Sequence, residues 1–348
     1  MTTIIFKNTD FLLQSSGSDI VNEFICEFSS LLPDWVEEGG GVERILSPKF
    51  IFSEIWASLS GSGGRIGRFI LFIILSMLVC YISSLYESKL TAATVAAVCV
   101  ISLAPAGFEI FAIAAEVAEG LGQIRSFFGS LIPLLLSVEV AGGGTESAAV
   151  AALQMSAIAS VTEILCSEIL LPLVWAMIAL GGFSALGGGC AERVLSVISS
   201  LFTKGLGFAC AVVSAIFALQ SLIATAADTA ALRLAKFTAQ SILPSVGTVI
   251  TASMSTLSSG LVYARGVIGT GAIGVILWIM LSPLVILLSY RLALNLAVGF
   301  SQSLEVKPCA TALKAIRRAL DGLISLFLIS GVLFIFQLVI FIKGGAEV

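Results

Sequence analysis

The chain has 348 residues, of which 58% are hydrophobic and only 11% are charged, and its mean hydropathy is +1.08. Soluble proteins average roughly 45–50% apolar and about 25% charged residues. The 18 basic and 22 acidic side chains are too few to cover the surface of a soluble protein of this length. Composition therefore predicts an integral membrane protein in contact with the lipid bilayer, and the net charge of −4 argues against nucleic acid as a partner.

Several kinds of chemistry are excluded by what the sequence lacks. There is no histidine, which removes histidine-based catalysis and histidine-ligated metals. Neither a P-loop motif nor a strand-anchored G-x-G-x-x-G motif is present, so we predict no nucleotide hydrolysis and no cofactor. The seven cysteines are scattered without a C-x-x-C pair, which predicts small apolar side chains rather than disulfides or metal ligands.

Residues 1–64 carry the densest charge and are predicted to form a membrane-peripheral, amphipathic region before a transmembrane domain at 65–348. No basic segment followed by an apolar core opens the chain, so we expect no signal peptide. Ser47-Pro48 is typical of a helix start, and the glycines between 61 and 64 predict its end. The apolar stripe of this helix lies in the membrane interface or packs against the protein's own spans.

Uncharged runs of membrane length occupy most of the remaining chain, since a span needs roughly 20 apolar residues. They predict an all-α transmembrane bundle of six spans. Two further stretches, 126–138 and 237–264, are short or rich in Ser, Thr and Gly. Each is either a further span, which gives eight in total, or a broken or re-entrant segment. Five uncharged runs lie at 69–86, 90–108, 205–227, 266–290 and 322–342, and a sixth run at 148–191 is apolar but interrupted by two glutamates.

Four prolines in these segments are candidate helix breaks, and they occur in two matching pairs. The two prolines of each matching pair are 111 residues apart. This constant offset predicts an internal duplication, with units at 90–200 and 201–311. Inverted repeats with broken helices are typical of transporters. Alternatively, the first proline of each unit only begins an interfacial helix. The matching motifs are Ser-Leu-Ile-Pro133 with Ser-Ile-Leu-Pro244, and Pro172-Leu-Val with Pro283-Leu-Val.

Glu163 and Glu168 interrupt the apolar run at 148–191. A carboxylate at the bilayer centre costs at least about 2.5 kcal/mol, so such a group faces a cavity or a partner. One interpretation is a pore-lining or coupling site, which favours a secondary transporter or permease with a site near the bilayer midplane. The other places the pair near the membrane surface or binds it to an arginine.

One block of the sequence resembles a known family. Asp228-x4-Arg233-x2-Lys236-Phe, followed by Ile-x-Pro244-x-Val-Gly, resembles the most recognisable block of the stage III sporulation protein AE family. The order of hydrophobic runs also matches, and the resemblance covers about residues 65–345. Support comes from two further motifs, Gly143-Gly144-Thr145-x-Ser147-Ala148-Ala149 and Leu171-Pro172-Leu173-Val174.

The resemblance implies a non-enzymatic, multi-pass component of the envelope-spanning channel complex that endospore-forming bacteria build between mother cell and forespore. The implied partners are other stage III sporulation membrane proteins, including a secretion-type ATPase and ring-forming subunits. The implied location is the mother-cell membrane around the forespore. No catalytic residue is implied, and Asp228, Arg233 and Lys236 are implied to contact partner subunits or the membrane interface. Many family members begin with a signal sequence, whereas we expect none here.

Overall fold

A computed structural model describes residues 48–85, 92–141, 145–184, 190–215 and 244–344. These ranges are almost entirely helical and contain no strand. A π-helical segment, Ile164–Leu170, joins the third helix directly to the fourth. The helices are α1 (Pro48–Leu85), α2 (Ala92–Ala141), α3 (Thr145–Glu163), α4 (Leu171–Phe183), α5 (Cys190–Ala215), α6 (Pro244–Ser303) and α7 (Lys307–Gly344).

The predicted all-α, six-span architecture is confirmed. Six helices within the described ranges are long and apolar enough to cross a membrane. Neither ambiguous stretch forms a span of its own, because 126–138 belongs to α2 and 244–264 forms the first part of α6. The chain between 216 and 243, which holds Asp228, Arg233 and Lys236, lies outside the described residues, as do residues 1–47.

The second helix is far longer than the uncharged run that predicted it. Residues 109–125 carry three glutamates and an arginine, yet they continue α2 from the run at 90–108 into the apolar stretch that follows. One face of this charged segment is apolar and buried at helical spacing, so packing maintains the helix. The buried residues are Ile110, Ile113, Ala114, Val117, Leu121 and Ile124.

The first helix begins at Pro48, as predicted, but its predicted end at the glycines between 61 and 64 is wrong. The helix continues to Leu85 because its next turns present a buried face to α2 and α6. That packing outweighs the helix propensity lost at each glycine, about 1 kcal/mol. The proposed domain boundary at residue 64 therefore lies within a continuous helix and stays a prediction. The buried face consists of Phe69, Ile73, Ser76, Met77 and Cys80.

Two of the four predicted helix breaks are wrong. Helices α2 and α6 are continuous through Pro133 and Pro283 respectively. Pro244 is the first residue of α6, where a missing N–H costs nothing, and Pro172 lies in the first turn of α4, directly after the π-helical segment. The prolines matched by the offset of 111 residues thus occupy different positions in their helices, and the duplication stays a prediction.

The contacts between helices give their directions. Helix α1 runs parallel to α6, because Ser58 lies within 3.5 Å of Ser282 and the ring of Phe69 lies 4.7 Å from that of Tyr290. Helix α7 runs antiparallel to α6, because Arg291 pairs with Asp321 while the later residue Asn295 pairs with the earlier residue Arg317. Because Phe69 lies level with Tyr290, the uncharged run of α1 begins at this level and extends beyond it, whereas the uncharged run of α6 ends there. The two runs are offset along the bundle rather than side by side.

The two longest helices exceed the thickness of a bilayer. Helix α2 has 50 residues and α6 has 60. At about 1.5 Å per residue they extend for about 75 and 90 Å, against roughly 30 Å for the hydrocarbon core. A single bilayer crossing therefore accounts for only part of either helix. Helix α7 forms the centre of the bundle, since 61% of its most apolar window is buried, compared with 22–39% in the other five.

Candidate functional site

An ion-pair network links α1, α2 and α6 at a partly exposed position of the bundle. The Arg65 guanidinium lies between two carboxylates of α2, with Nη1 2.7 Å from Glu116 Oε1 and Nε 3.5 Å from Glu109 Oε1. Tyr290 of α6, which is fully buried, donates its hydroxyl to Glu109 Oε1 at 2.9 Å. Glu109 and Glu116 are seven residues apart, so both lie on one face of α2 and face the same cation.

A second set of charges joins α6 to α7 and begins at Arg291, the residue after Tyr290. Arg291 Nε lies 2.7 Å from Asp321 Oδ1, and Arg317 Nη1 donates to Asn295 Oδ1 at 3.1 Å. Arg65, Glu109, Arg291 and Asp321 each border an uncharged run in the sequence. Charged residues at the ends of different predicted spans therefore pair with one another, which lowers the free-energy cost of placing them near lipid.

The structure assigns Glu163 a partner. Its carboxylate forms an ion pair with Arg125 of α2, which supports the interpretation that binds this residue to an arginine. Glu168 lies five residues later, inside the π-helical segment, and it is exposed. The two glutamates therefore have different surroundings, and the described residues do not bring them together into one site.

We expect Glu163→Gln to lower the stability of the bundle by about 0.5–1 kcal/mol, because it leaves the partly exposed Arg125 without its counter-charge. Glu168→Gln, the matched control, should leave stability unchanged. Thermal unfolding in detergent micelles measures both. Exchanging the charges in the double variant Arg125→Glu, Glu163→Arg should recover most of the loss. Equal effects of the two glutamine variants would contradict the role of the ion pair.

No metal site is present in the part of the chain that the structure describes: no group of three or more Cys, Asp or Glu side chains there is placed to hold an ion. The six cysteines in these ranges are free thiols. Three of them, Cys80, Cys99 and Cys309, are buried together where α1, α2 and α7 meet, and Cys80 Sγ lies 3.4 Å from Ser102 Oγ. They fill space between closely packed helices.

Sequence reasoning missed the network around Arg65. The uncharged runs directed attention to their apolar interiors rather than to the charged residues that flank them, such as Arg65 and Glu109. A signal was nevertheless present, because Glu109 and Glu116 share one face if 90–138 is read as a single helix. Two carboxylates on one face of an apolar helix require a cation from a neighbouring helix.

Comparison with known proteins establishes the family. The family model of stage III sporulation protein AE matches residues 43–345, which is most of the chain. The chain belongs to the stage III sporulation protein AE family. Stage III sporulation protein AE of Bacillus subtilis (strain 168) is 22% identical over 335 residues, covering 93% of this chain and 84% of the relative. No solved structure matches the chain.

Membership of the stage III sporulation protein AE family confirms the resemblance seen in the sequence. Together with the six apolar helices it identifies the chain as a multi-pass integral membrane protein of sporulation. The family block that contains Asp228, Arg233 and Lys236 lies within the matched residues but outside the described ones.

Proposed function

We propose that the chain is a non-enzymatic component of the envelope-spanning channel complex between mother cell and forespore, located in the mother-cell membrane. The family match over residues 43–345 carries this proposal. The proposed partners are other stage III sporulation membrane proteins, among them a secretion-type ATPase and ring-forming subunits. An energy source in such a partner accords with a chain that lacks nucleotide-binding motifs.

Two features of the bundle support a scaffold or channel component. Helices α2 and α6 are longer than a bilayer crossing requires, so parts of them are available to contact neighbouring subunits. Arg65 is paired with Glu109 and Glu116, and Arg291 is paired with Asp321, which stabilises one relative position of the helices instead of leaving these charges to bind a substrate.

The alternative, a secondary transporter with a site near Glu163 and Glu168, receives less support. A coupling carboxylate has to be available to a proton, ion or substrate. Glu163 is paired with Arg125, and the described residues do not bring Glu168 into one site with it. No observation on the described residues favours autonomous transport over assembly with partners.

Affinity purification of the tagged chain from sporulating cells tests the proposal. After mild cross-linking and detergent extraction, we expect mass spectrometry to identify a secretion-type ATPase and a ring-forming membrane protein. Charge reversal at Arg233 and Lys236 should reduce their recovery, because these residues are proposed to contact partner subunits. Reversal of the exposed Lys204 is the matched control and should leave recovery unchanged.

Reconstitution of the purified chain in liposomes tests the alternative, a secondary transporter. Uptake of a labelled solute or a proton flux by the purified chain alone, abolished by Glu168→Gln, would support a transporter and contradict the proposal. So would recovery of the chain from sporulating cells without any other stage III sporulation protein after cross-linking.

A further inference from the structure

The first half of α7 exposes a row of cations. Between residues 306 and 320 only Lys307, Lys314 and Arg318 are exposed, and the other side chains are buried or half-buried. Their spacings of seven and four residues place all three on one face of the helix. None of the ion pairs among the residues that the structure describes involves them. These three residues form the basic stripe.

An apolar stripe of α6 borders the basic stripe. It consists of Leu292, Leu296 and Phe300, which are four residues apart on one face and are 58–65% exposed. The residues that directly precede its two leucines, Arg291 and Asn295, both contact α7. Their partners on α7 lie within one helical turn of the last residue of the basic stripe. The two stripes therefore form one surface, which is cationic on α7 and apolar on α6.

The turn between α6 and α7 fixes the two stripes relative to each other. Glu305 has a positive φ of 56°, and the backbone N–H of Val306 donates to the carbonyl oxygen of Ser301 at 3.3 Å. Val306 is 3% exposed, and Cys309 in the following turn is fully buried. The turn is thus anchored in the core, and the surface exists without rearrangement of either helix.

Apolar side chains are exposed at the level of the basic stripe. Cys80 of α1 lies beside Cys309 of α7, so the second half of α1 lies level with this stripe. That part of α1 carries Leu71, Leu75 and Leu78, each of which is more than half exposed. Such a large apolar surface on a membrane protein contacts acyl chains. A cation next to acyl chains is costly unless an anion pairs with it, so the basic stripe requires a negatively charged partner.

We propose that the basic stripe binds the phosphate groups of anionic phospholipids, whose acyl chains lie along the apolar stripe. Long basic side chains extend toward the headgroups, and the guanidinium of Arg318 can bind two phosphate oxygens at once. A phospholipid accounts for both stripes, because its phosphate matches the cations and its chains match the leucines. A free phosphate ion accounts only for the first. The proposal does not depend on the place of the chain in a channel complex.

Native mass spectrometry of the delipidated full chain in detergent tests the proposal. Phosphatidylglycerol and phosphatidylcholine with identical acyl chains are added at equal concentrations. Both lipids carry a phosphate, but choline cancels its charge. We expect the chain to retain several-fold more phosphatidylglycerol than phosphatidylcholine, and Lys314→Gln with Arg318→Gln should remove this preference. Equal retention of the two lipids by the unaltered chain would overturn the proposal.

Two exposed cations of α5 provide the matched control. Arg193→Gln with Lys204→Gln removes the same charge from another helix and should leave the retention of phosphatidylglycerol unchanged. Lys314→Arg with Arg318→Lys keeps the charge of the basic stripe and should keep most of the preference for phosphatidylglycerol. Equal losses in the two double glutamine variants would show attraction to the total charge of the chain and would overturn the assignment to the basic stripe.

The headgroup without acyl chains, glycerophosphoglycerol, distinguishes a phospholipid from a free phosphate. At equal concentration it should leave bound phosphatidylglycerol in place, because it cannot contact the apolar stripe. Leu296→Ser with Phe300→Ser should lower the retention of phosphatidylglycerol several-fold while the basic stripe stays intact. Displacement of the lipid by glycerophosphoglycerol would show a site for anions in general and would overturn the assignment to a phospholipid.

Discussion

Replacement of Arg65 by methionine is expected to destabilise the bundle by about 2–3 kcal/mol, between the values typical of exposed and of buried ion pairs. The guanidinium lies between Glu109 and Glu116, and the three side chains are 32–44% exposed. Without it, two partly buried carboxylates of α2 remain near each other with no counter-charge between them. Reversible unfolding by SDS in mixed micelles measures the loss.

Arg68→Met is the matched control for this prediction. Arg68 lies one turn after Arg65 on the same helix, and its Nε donates to the carbonyl oxygen of Gly64 in its own helix. We expect a change of less than about 0.5 kcal/mol, as for an ordinary surface substitution. Adding Glu116→Gln to Arg65→Met should restore part of the stability, because it removes one uncompensated charge. Equal losses for Arg65→Met and Arg68→Met would contradict the importance of the network.

Replacement of Gly181 by leucine is expected to have the other large effect, a loss of about 3 kcal/mol, the upper end of the usual range for overpacking. A Cβ atom at Gly181 would lie 3.3 Å from the backbone nitrogen of Ile316. Backbone of the central helix α7 cannot turn aside as the end of a side chain can, so the larger residue forces α4 and α7 apart. Gly181→Ala should cost less, about 1 kcal/mol.

The next residue supplies the control. A Cβ atom at Gly182 would meet nothing within 4 Å, so Gly182→Leu should leave the unfolding midpoint nearly unchanged. Both substitutions add the same side chain to the same helix, so helix propensity and hydrophobicity are equal between them. A loss at Gly182 as large as that at Gly181 would show that the close approach of α4 to α7 is not the cause.

The sequence predicted the class of fold more accurately than it predicted the continuity of the helices. Uncharged runs identified the apolar cores of the helices, and Ser47-Pro48 identified the start of α1. The glycines after residue 60 and the prolines at 133 and 283 were interpreted as breaks, yet the helices continue through them. Each glycine lowers the local stability of a helix by about 1 kcal/mol, and the tertiary packing of a long apolar face contributes more than this.

The candidate site was predictable only in part. Glu163 was singled out because a carboxylate in an apolar run is costly, and an arginine was one of its expected partners. The packing of α2 against α3 decided which arginine pairs with Glu163. The π-helical segment decided that Glu168 lies apart from Glu163.

Composition determined that lipid surrounds this protein, where the backbone must satisfy its hydrogen bonds internally. Apolar runs of about 20 residues then determined that helices are its structure. The family, too, was already visible in the order of residues. Only the tertiary structure decided which charges pair, where α4 approaches α7 most closely, and that the uncharged runs of α1 and α6 are offset. Those outcomes depend on the rotation and axial position of each helix against its neighbours, which arise from side-chain packing between segments far apart in the chain.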